Sequence, residues 1–368
     1  MQRRHARACV CLRPGAPLFL NCWTTTEKLL STSYAPWRHK CNAMSQVEYH
    51  DLSLRDGNHA IAHQLTLDTL EKYCAFAEEA GISVVEVGHG NGLGASSLLI
   101  GESLLSDNEL ITVARRILKR TKLSVHLIPG LATIARDIVS AIDLGVDIFR
   151  VACHCTEATV TKTHIEYLAS RNLRVLGVLM MAATCSTATL VAEASKMKSY
   201  GATGIVIMDS TGSLFPADVT ERVVSLRSLD LPVGFHAHNN MHLAVANSLA
   251  AIGAGATIID VTLRGFGAGA GNTPLEIMAS LAPDPRIDMD RVLQFCDEFA
   301  YPPPVCKPVN VLTAKHKLFS GFERRILEAC SKYGISLTRL VEEMAAKKLV
   351  AGQEDLLWVI AKNLATQK

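Results

Sequence analysis

A repeated unit of apolar and polar positions runs along most of the chain: a short β-branched run, a polar or glycine-rich turn, then an amphipathic stretch. In the amphipathic stretches, for example 67–77 and 243–252, apolar residues recur at spacings of three and four, which predicts helices. The apolar runs predict strands, and they occupy residues 47–52, 83–87, 123–128, 148–152, 174–181, 204–208, 232–237 and 257–261. Several predicted helices end at glycine or asparagine, namely at Gly81, Gly145, Asn172, Gly201 and Gly255.

Strands and helices that alternate in this way predict the α/β class, with a parallel sheet and right-handed crossovers. A doubly wound open sheet is the alternative, but eight consecutive units within residues 47–261 are what a closed (β/α)8 TIM barrel needs. After Pro274 the pattern changes to helices alone, interrupted by prolines at 302–304. The predicted organisation is therefore a catalytic barrel over 44–285 and a helical C-terminal region over 286–368.

The first 43 residues do not share this pattern. They carry seven basic residues and the single acid Glu27, with serine and threonine between them. A basic, acid-poor leader of this kind is typical of a mitochondrial presequence. The alternative, which we favour slightly, is that Met44 is the start and that the preceding segment is not part of the native protein.

Composition narrows the class of protein. The net charge of +2, without a run of basic residues, disfavours nucleic acid as a partner. The eleven cysteines include no Cys-x-x-Cys pair, as expected for reduced thiols. No apolar stretch approaches the roughly 18–20 residues that span a bilayer, so no membrane association is expected. The prediction is a cytoplasmic enzyme, or a mitochondrial matrix enzyme if the leader is genuine.

Candidate metal ligands lie where a barrel holds its active site, at the C-terminal ends of the strands. His236 and His238 are two positions apart on the seventh strand, so both imidazoles point to the same side. Asp56 follows the first strand, across the mouth of the barrel. Two imidazoles and one carboxylate, with open positions left for substrate, predict a divalent-metal site.

Other polar residues at the strand ends suggest further roles. Arg55 is placed to clamp a carboxylate or stabilise an enolate oxygen, and His59 to act as a general base. Glu86, at the end of the second strand, is a candidate supporting residue. His154 and its flanking cysteines are expected to be a packed strand end rather than a zinc site. No predicted strand ends in lysine, so Schiff-base chemistry is not expected.

Several motifs together resemble the metal-dependent lyase and aldolase barrels, and most closely the 4-hydroxy-2-oxovalerate aldolase family. The resemblance extends in order from about residue 47 to the C-terminus. The motifs that carry it are Leu54-Arg55-Asp56-Gly57-x-His59, Gly88-His89-Gly90-Asn91-Gly92-Leu93-Gly94, His236-x-His238-Asn239-Asn240, Gly267-x-Gly269-Ala270-Gly271-Asn272 and Gly352-Gln353-Glu354-Asp355.

The resemblance implies retro-aldol cleavage of a 4-hydroxy-2-oxo acid to pyruvate and an aldehyde. Asp56, His236 and His238 would bind the metal, typically Mn2+, and His236 would also contact substrate. Arg55 would hold the oxo acid and stabilise its enolate, His59 would take the proton of the C4 hydroxyl, and Asn272 would support the site. The resemblance also implies an acylating aldehyde dehydrogenase as partner, docked through the helical C-terminal region.

Two segments depart from the family pattern. Ala182-Ala183-Thr184 stands where the family has Ser-His-Met, whose serine contacts the carboxylate of the oxo acid. The segment 315–320 contains no tyrosine, although the family carries tyrosines there. These changes leave two alternatives: an acyl-CoA-using lyase or synthase of the same superfamily, and an impaired barrel that acts as a binding or scaffold subunit. The residues around 265–274 lack the cysteine that the lyase carries, which disfavours the first.

Overall fold

The computed structural model describes residues 47–367, and within them eight parallel strands form a closed barrel in the order β1 to β8. The first strand pairs with the last, which closes the barrel and confirms the predicted fold class. The strands are β1 (Glu48–Leu54), β2 (Val84–Val87), β3 (Lys122–Leu127), β4 (Ile148–His154), β5 (Arg174–Met180), β6 (Gly204–Asp209), β7 (Val233–Ala237) and β8 (Ile258–Val261). The predicted leader, 1–43, lies outside the described residues.

Helices follow the first seven strands and cover the outside of the barrel. They are α1 (Leu67–Glu79), α2 (Asp107–Ile117), α3 (Val139–Asp143, preceded by a π-helical turn at Ile134–Ile138), α4 (Lys162–Ala169), α5 (Thr187–Ser199), α6 (Pro216–Leu226) and α7 (Ala244–Gly253). Local sequence explains their starts. The Thr66 side chain caps α1, and Ser106 forms a reciprocal capping box with Glu109 at α2.

The glycine after α1 is needed at its position. Gly81 has a φ of +73°, and a Cβ there would lie 2.1 Å from the carbonyl oxygen of Arg286. A residue with a side chain would meet both a strained backbone and a steric clash. The predicted helix end at Gly81 is therefore also the point where the chain after the barrel packs against α1.

Side chains inside the barrel form an apolar lower part and a charged upper part. Alternate strand residues point inward, and the buried apolar cluster includes Val84, Ile148, Leu176, Val206 and Ile258. Two positions further along, the inward residues of β2, β4 and β8 are the charged Glu86, Arg150 and Asp260, and His236 lies at this level of β7, whereas Val178 and Met208 of β5 and β6 are apolar. From Arg150, polar contacts also continue toward the N-terminal ends of the strands, through His50 at 3.4 Å and from His50 to Glu48 at 3.0 Å.

The helices after the barrel are α8 (Leu275–Leu281), α9 (Met289–Glu298), α10 (Pro308–Lys315), α11 (Glu323–Tyr333), α12 (Leu337–Ala346) and α13 (Glu354–Thr366). The last four share a core that is separate from the barrel interior, built around Phe322, Ile326, Leu340, Met344 and Leu357. This core agrees with a helical C-terminal region, whose boundary at 285 stays a prediction. None of the helices within 47–367 combines the length and the apolar character that a membrane span requires.

Candidate active site

Three ligand groups converge at the mouth of the barrel. Asp56 begins a short 3-10 helix directly after β1, His236 lies in β7, and His238 follows that strand. One ligand atom from each residue lies within 4.8 Å of the others, and all three side chains are buried. Among the residues that the structure describes, no other group of three histidine, cysteine or acidic residues has this geometry. The predicted ligand set is thus brought together in one place.

Asp260 and Arg150 orient the first of these histidines. Nδ1 of His236 lies 3.1 Å from Oδ2 of Asp260, so the imidazole donates there and keeps Nε2 free of its proton. Nε2 is buried and has no hydrogen-bond partner within 47–367. Arg150 holds Asp260 through two hydrogen bonds, with Nη1 2.7 Å from Oδ1. The unpartnered nitrogen is therefore aimed at the place where a metal would bind.

Sequence reasoning missed this pair, although a signal was present. Arg150 stands in the run Ile-Phe-Arg-Val-Ala and Asp260 in Ile-Ile-Asp-Val, each a single charge inside an otherwise apolar strand. A charge at an inward position has to be paired to be buried. The two isolated charges could have been assigned to each other on that ground.

The Asp56 carboxylate is held by the loop after β8. Asn272 Nδ2 donates to Oδ2 at 2.6 Å, and the backbone N–H of Ala268 donates to the same oxygen at 3.1 Å. A Cβ at Gly267 would lie 2.6 Å from that oxygen, so the close approach of this loop depends on glycine. The glycine-rich segment thus presents its backbone to a carboxylate, and Asn272 lies beside Asp56.

Arg55 joins Asp56 of the candidate metal site to Glu86. Its Nε donates to Glu86 Oε1 at 2.7 Å, and its Nη1 donates to Asp56 Oδ1 at 2.9 Å and to the carbonyl of Gly90 at 3.1 Å. Nη2 is buried and has no partner among the described residues. Arg55 lines the cavity described below, so Nη2 is available to an anionic or carbonyl oxygen of a ligand.

His59 borders the cavity beside these groups. It is half-buried, with its ring edge-on to Phe319 (centroid distance 6.3 Å) and to His63 (5.2 Å). Burial lowers the pKa of His59, which outweighs the opposite effect of Asp56. The imidazole is therefore neutral at physiological pH, which is the state in which it can accept a proton.

Two of the candidate ligands, Asp56 and His238, are also unprotonated near neutral pH. Burial alone would raise the pKa of Asp56, but the Arg55 guanidinium and the two imidazoles hold it well below its usual range. Burial lowers the pKa of His238 to about 3, although Asp56 acts in the opposite direction. Metal binding requires ligands in these states. The oxygen and nitrogen donors, the unpartnered Nε2 of His236 and the unprotonated state of Asp56 and His238 all fit the binding of a divalent cation.

A cavity of about 320 Å³ opens beside the candidate ligands. Its polar lining includes Arg55, Asp56, His59, Ser210 and His238. The rest of the lining is mainly apolar, and it comes from the loops after β2 and β3, the ends of β5 and β6, and the C-terminal region. The cavity provides room for a small molecule that reaches the candidate ligands with one end.

Two further segments from the sequence, His154 with its flanking cysteines and Ala182–Thr184, lie at the ends of β4 and β5. His154 ends β4 and is half-buried, and the thiol of the buried Cys155 lies 3.3 Å from the Met181 carbonyl. Ala182–Thr184 forms a 3-10 turn after β5. Next to this turn, the Ser210 hydroxyl accepts from the backbone N–H of Met181 at 3.0 Å. Ser210 therefore places a hydroxyl near the segment in which the expected serine is absent.

Asp260→Asn is expected to weaken metal binding about 10- to 100-fold, because it removes the acceptor that fixes the His236 tautomer. The variant also replaces one of the two carboxylates that pair with the buried Arg150 by a neutral amide and leaves Glu86 as the other, so its free energy of unfolding should fall. A Mn2+ titration and a urea melt measure the two effects separately. Unchanged metal affinity in a folded variant would contradict the orienting role of Asp260.

A stacked histidine pair next to the site predicts acid sensitivity. The rings of His63 and His89 are 3.6 Å apart, and burial lowers their pKa values to about 2 and about 4. Both values lie below the roughly 6.5 of an unfolded histidine. The unfolded chain therefore binds more protons below pH 6.5, and the free energy of unfolding should decrease as the pH falls from 6.5 toward 4.

His89→Gln should remove part of this pH dependence. Between pH 7 and 4.5, the free energy of unfolding of the variant should fall by roughly 2 kcal/mol less than that of the unchanged protein. Urea unfolding at the two pH values checks this. Equal losses in both proteins would show that His89 does not exclude a proton in the folded state.

The fold and the site define a class: a (β/α)8 barrel with a candidate divalent-metal centre of one carboxylate and two imidazoles, and an arginine beside it. Comparison with known proteins agrees with this class. The HMGL-like family matches residues 46–294, and the DmpG-like communication domain matches residues 315–366. The 4-hydroxy-2-oxovalerate aldolase of Pectobacterium atrosepticum is 47% identical over 324 residues, which cover 86% of this chain and 94% of that protein.

The protein of the same name from Spirochaeta aurantia is 45% identical over 326 residues, which cover 86% of this chain and 96% of that protein. The chain therefore belongs to the 4-hydroxy-2-oxovalerate aldolase family. Among solved structures, the carboxyl transferase domain of Rhizobium etli pyruvate carboxylase gives a TM-score of 0.73 at 16% identity, over 98% of this chain and 67% of that one. This last likeness concerns the fold alone.

Proposed function

We propose that this protein is a divalent-metal-dependent aldolase that cleaves a 4-hydroxy-2-oxo acid into pyruvate and an aldehyde. The observation that carries the proposal is the convergence of Asp56, His236 and His238 within 4.8 Å, beside the unpartnered Nη2 of Arg55. The chain belongs to a family whose members are named 4-hydroxy-2-oxovalerate aldolase, and this supports the same assignment. An aldolase of this kind would use both features: the three candidate ligands would bind the metal, and the Arg55 guanidinium would bind the oxo acid.

Asp56, His236 and His238 would hold the cation, for which we propose Mn2+. A bound divalent cation supplies Lewis-acid polarisation of the 2-oxo group and stabilises the negative charge that develops there. The assignment rests on a mixed oxygen and nitrogen donor set, on the buried Nε2 of His236 that lacks a partner, and on the low pKa values of Asp56 and His238.

The remaining residues would position the substrate and move its proton. Arg55 Nη2 would donate to the oxo acid where negative charge develops, while its other nitrogens stay fixed by Glu86 and Asp56. Neutral His59 would take the proton from the C4 hydroxyl as the C3–C4 bond breaks and the aldehyde leaves. Asn272 would keep Asp56 in place. The role of His59 uses the neutral imidazole that its burial favours.

We also propose that the C-terminal region docks an acylating aldehyde dehydrogenase, which would receive the aldehyde. Two observations support this: the match of residues 315–366 to a communication domain, and the exposed apolar side chains Leu327, Leu356 and Val359 on α11 and α13. The predicted cytoplasmic or mitochondrial location stays a prediction.

The test of the proposed function is pyruvate release from 4-hydroxy-2-oxopentanoate by the full chain. The protein is first treated with a chelator and dialysed, and Mn2+, Mg2+ or Zn2+ is then restored. We expect no pyruvate without metal and the highest rate with Mn2+. A protein that binds Mn2+ but releases no pyruvate from any 4-hydroxy-2-oxo acid would contradict the aldolase proposal and would favour the scaffold alternative.

A further inference from the structure

The cavity beside the candidate metal centre has two chemically different sides. The groups that bind the metal and the oxo acid lie on one side, so the substrate's carboxylate and 2-oxo group would occupy that side. The rest of the lining is mainly apolar and includes Leu99, Ile100, Leu131, Met180, Met208 and Phe319, and its polar side chains include Asn91, Ser97 and His126. A polar aldehyde held against the apolar residues would lose hydrogen bonds to water.

A turn at the mouth extends this apolar side toward solvent. Ser97 and Gly101 form an antiparallel bridge that leaves Leu98, Leu99 and Ile100 at the tip of the turn. Leu99 is 51% exposed although it lines the cavity, and Leu98 is 87% exposed and does not line it. An apolar ligand that leaves the cavity past Leu99 would cover apolar surface that is now open to water.

We propose that the natural substrate carries an apolar alkyl or aryl chain beyond C4, so that the enzyme releases an aldehyde larger than acetaldehyde. The inference rests on the proposed function. The cavity volume of about 320 Å³ falls in the range of sites for drug-sized ligands, whereas 4-hydroxy-2-oxopentanoate has a single methyl group beyond C4. Leu99 is a specificity-determining residue in this arrangement, because it joins the interior of the cavity to the exposed turn.

A homologous substrate series tests the inference. Pyruvate release is measured with Mn2+ for 4-hydroxy-2-oxo acids whose chain beyond C4 grows from methyl to pentyl. Each added methylene should raise kcat/KM roughly two- to fourfold until the chain passes the mouth. The test variant is Leu99→Ser, and Leu98→Ser on the same turn is its matched control. Metal content and thermal unfolding of both variants are measured alongside.

The expected result has two parts: kcat/KM rises with chain length in the unchanged protein and in Leu98→Ser, and Leu99→Ser flattens the rise. A flat or falling series, or equal behaviour of the two variants, would overturn the inference and leave the proposed function intact. Absence of pyruvate from every substrate would overturn the proposed function and this inference with it.

Discussion

Asp56→Asn is expected to abolish metal binding and pyruvate release together. Asparagine keeps the size of the side chain but removes the only negative charge among the three candidate ligands. It also leaves the Arg55 guanidinium, which donates to Asp56 at 2.9 Å, with less compensating charge. We expect Mn2+ affinity to fall more than about 100-fold, which exceeds the usual effect of changing a supporting residue, and turnover to fall with it.

The matched control is Asp51→Asn. Asp51 is also a buried carboxylate and lies in β1, but it accepts hydrogen bonds from Tyr73 at 2.6 Å and from Ser53, away from the candidate ligands. This variant should retain Mn2+ and activity if it is folded. Mn2+ titration and pyruvate release are measured for both variants, with circular dichroism to establish folding. Metal retention by a folded, active Asp56→Asn protein would refute the ligand assignment.

His59→Ala is expected to separate metal binding from cleavage. The imidazole borders the cavity but does not belong to the ligand set, so Mn2+ affinity should change little. Loss of a general base typically lowers kcat by about 10²- to 10⁴-fold. The acidic limb of the kcat profile, which reports protonation of the base, should disappear in the variant. That change distinguishes a proton-transfer role from a structural one.

His154→Ala serves as the control for this experiment. His154 is a half-buried histidine at the end of β4 that does not line the cavity. Metal content, kcat and its pH profile should match those of the unchanged protein. If His59→Ala lost its Mn2+, or kept both its rate and its acidic limb, the assignment of His59 as the base would be wrong.

The barrel could be predicted from the sequence because its strands, turns and helices are each indicated by short segments of the chain. Strand runs such as 148–152 and 204–208 are short, β-branched and followed by glycine- or polar-rich turns, and the structure places β4 and β6 there. The candidate ligands could also be located, because strand ends of a barrel share one mouth. The two-residue repeat of a strand was enough to predict that His236 and His238 point to the same side.

The remaining features depend on contacts between distant segments. The pairing of Arg150 with Asp260 joins β4 to β8 across the barrel interior, and strand periodicity gives no partner for either charge. The apolar side of the cavity combines Leu99 from a surface turn with Phe319 from the C-terminal region. Loop conformation is not specified by a hydrophobic pattern. The apolar lining of the cavity therefore could not be predicted from the sequence and was identified only from the structure.

The most direct test of the central claim is an anomalous-scattering map at the manganese absorption edge, from crystals grown with Mn2+ and pyruvate. We expect one strong peak bonded to Asp56, His236 and His238, with pyruvate beside it and Arg55 Nη2 at the oxo acid. A peak held by other residues, or none at an Mn2+ concentration that supports full turnover, would contradict the assignment of these three ligands.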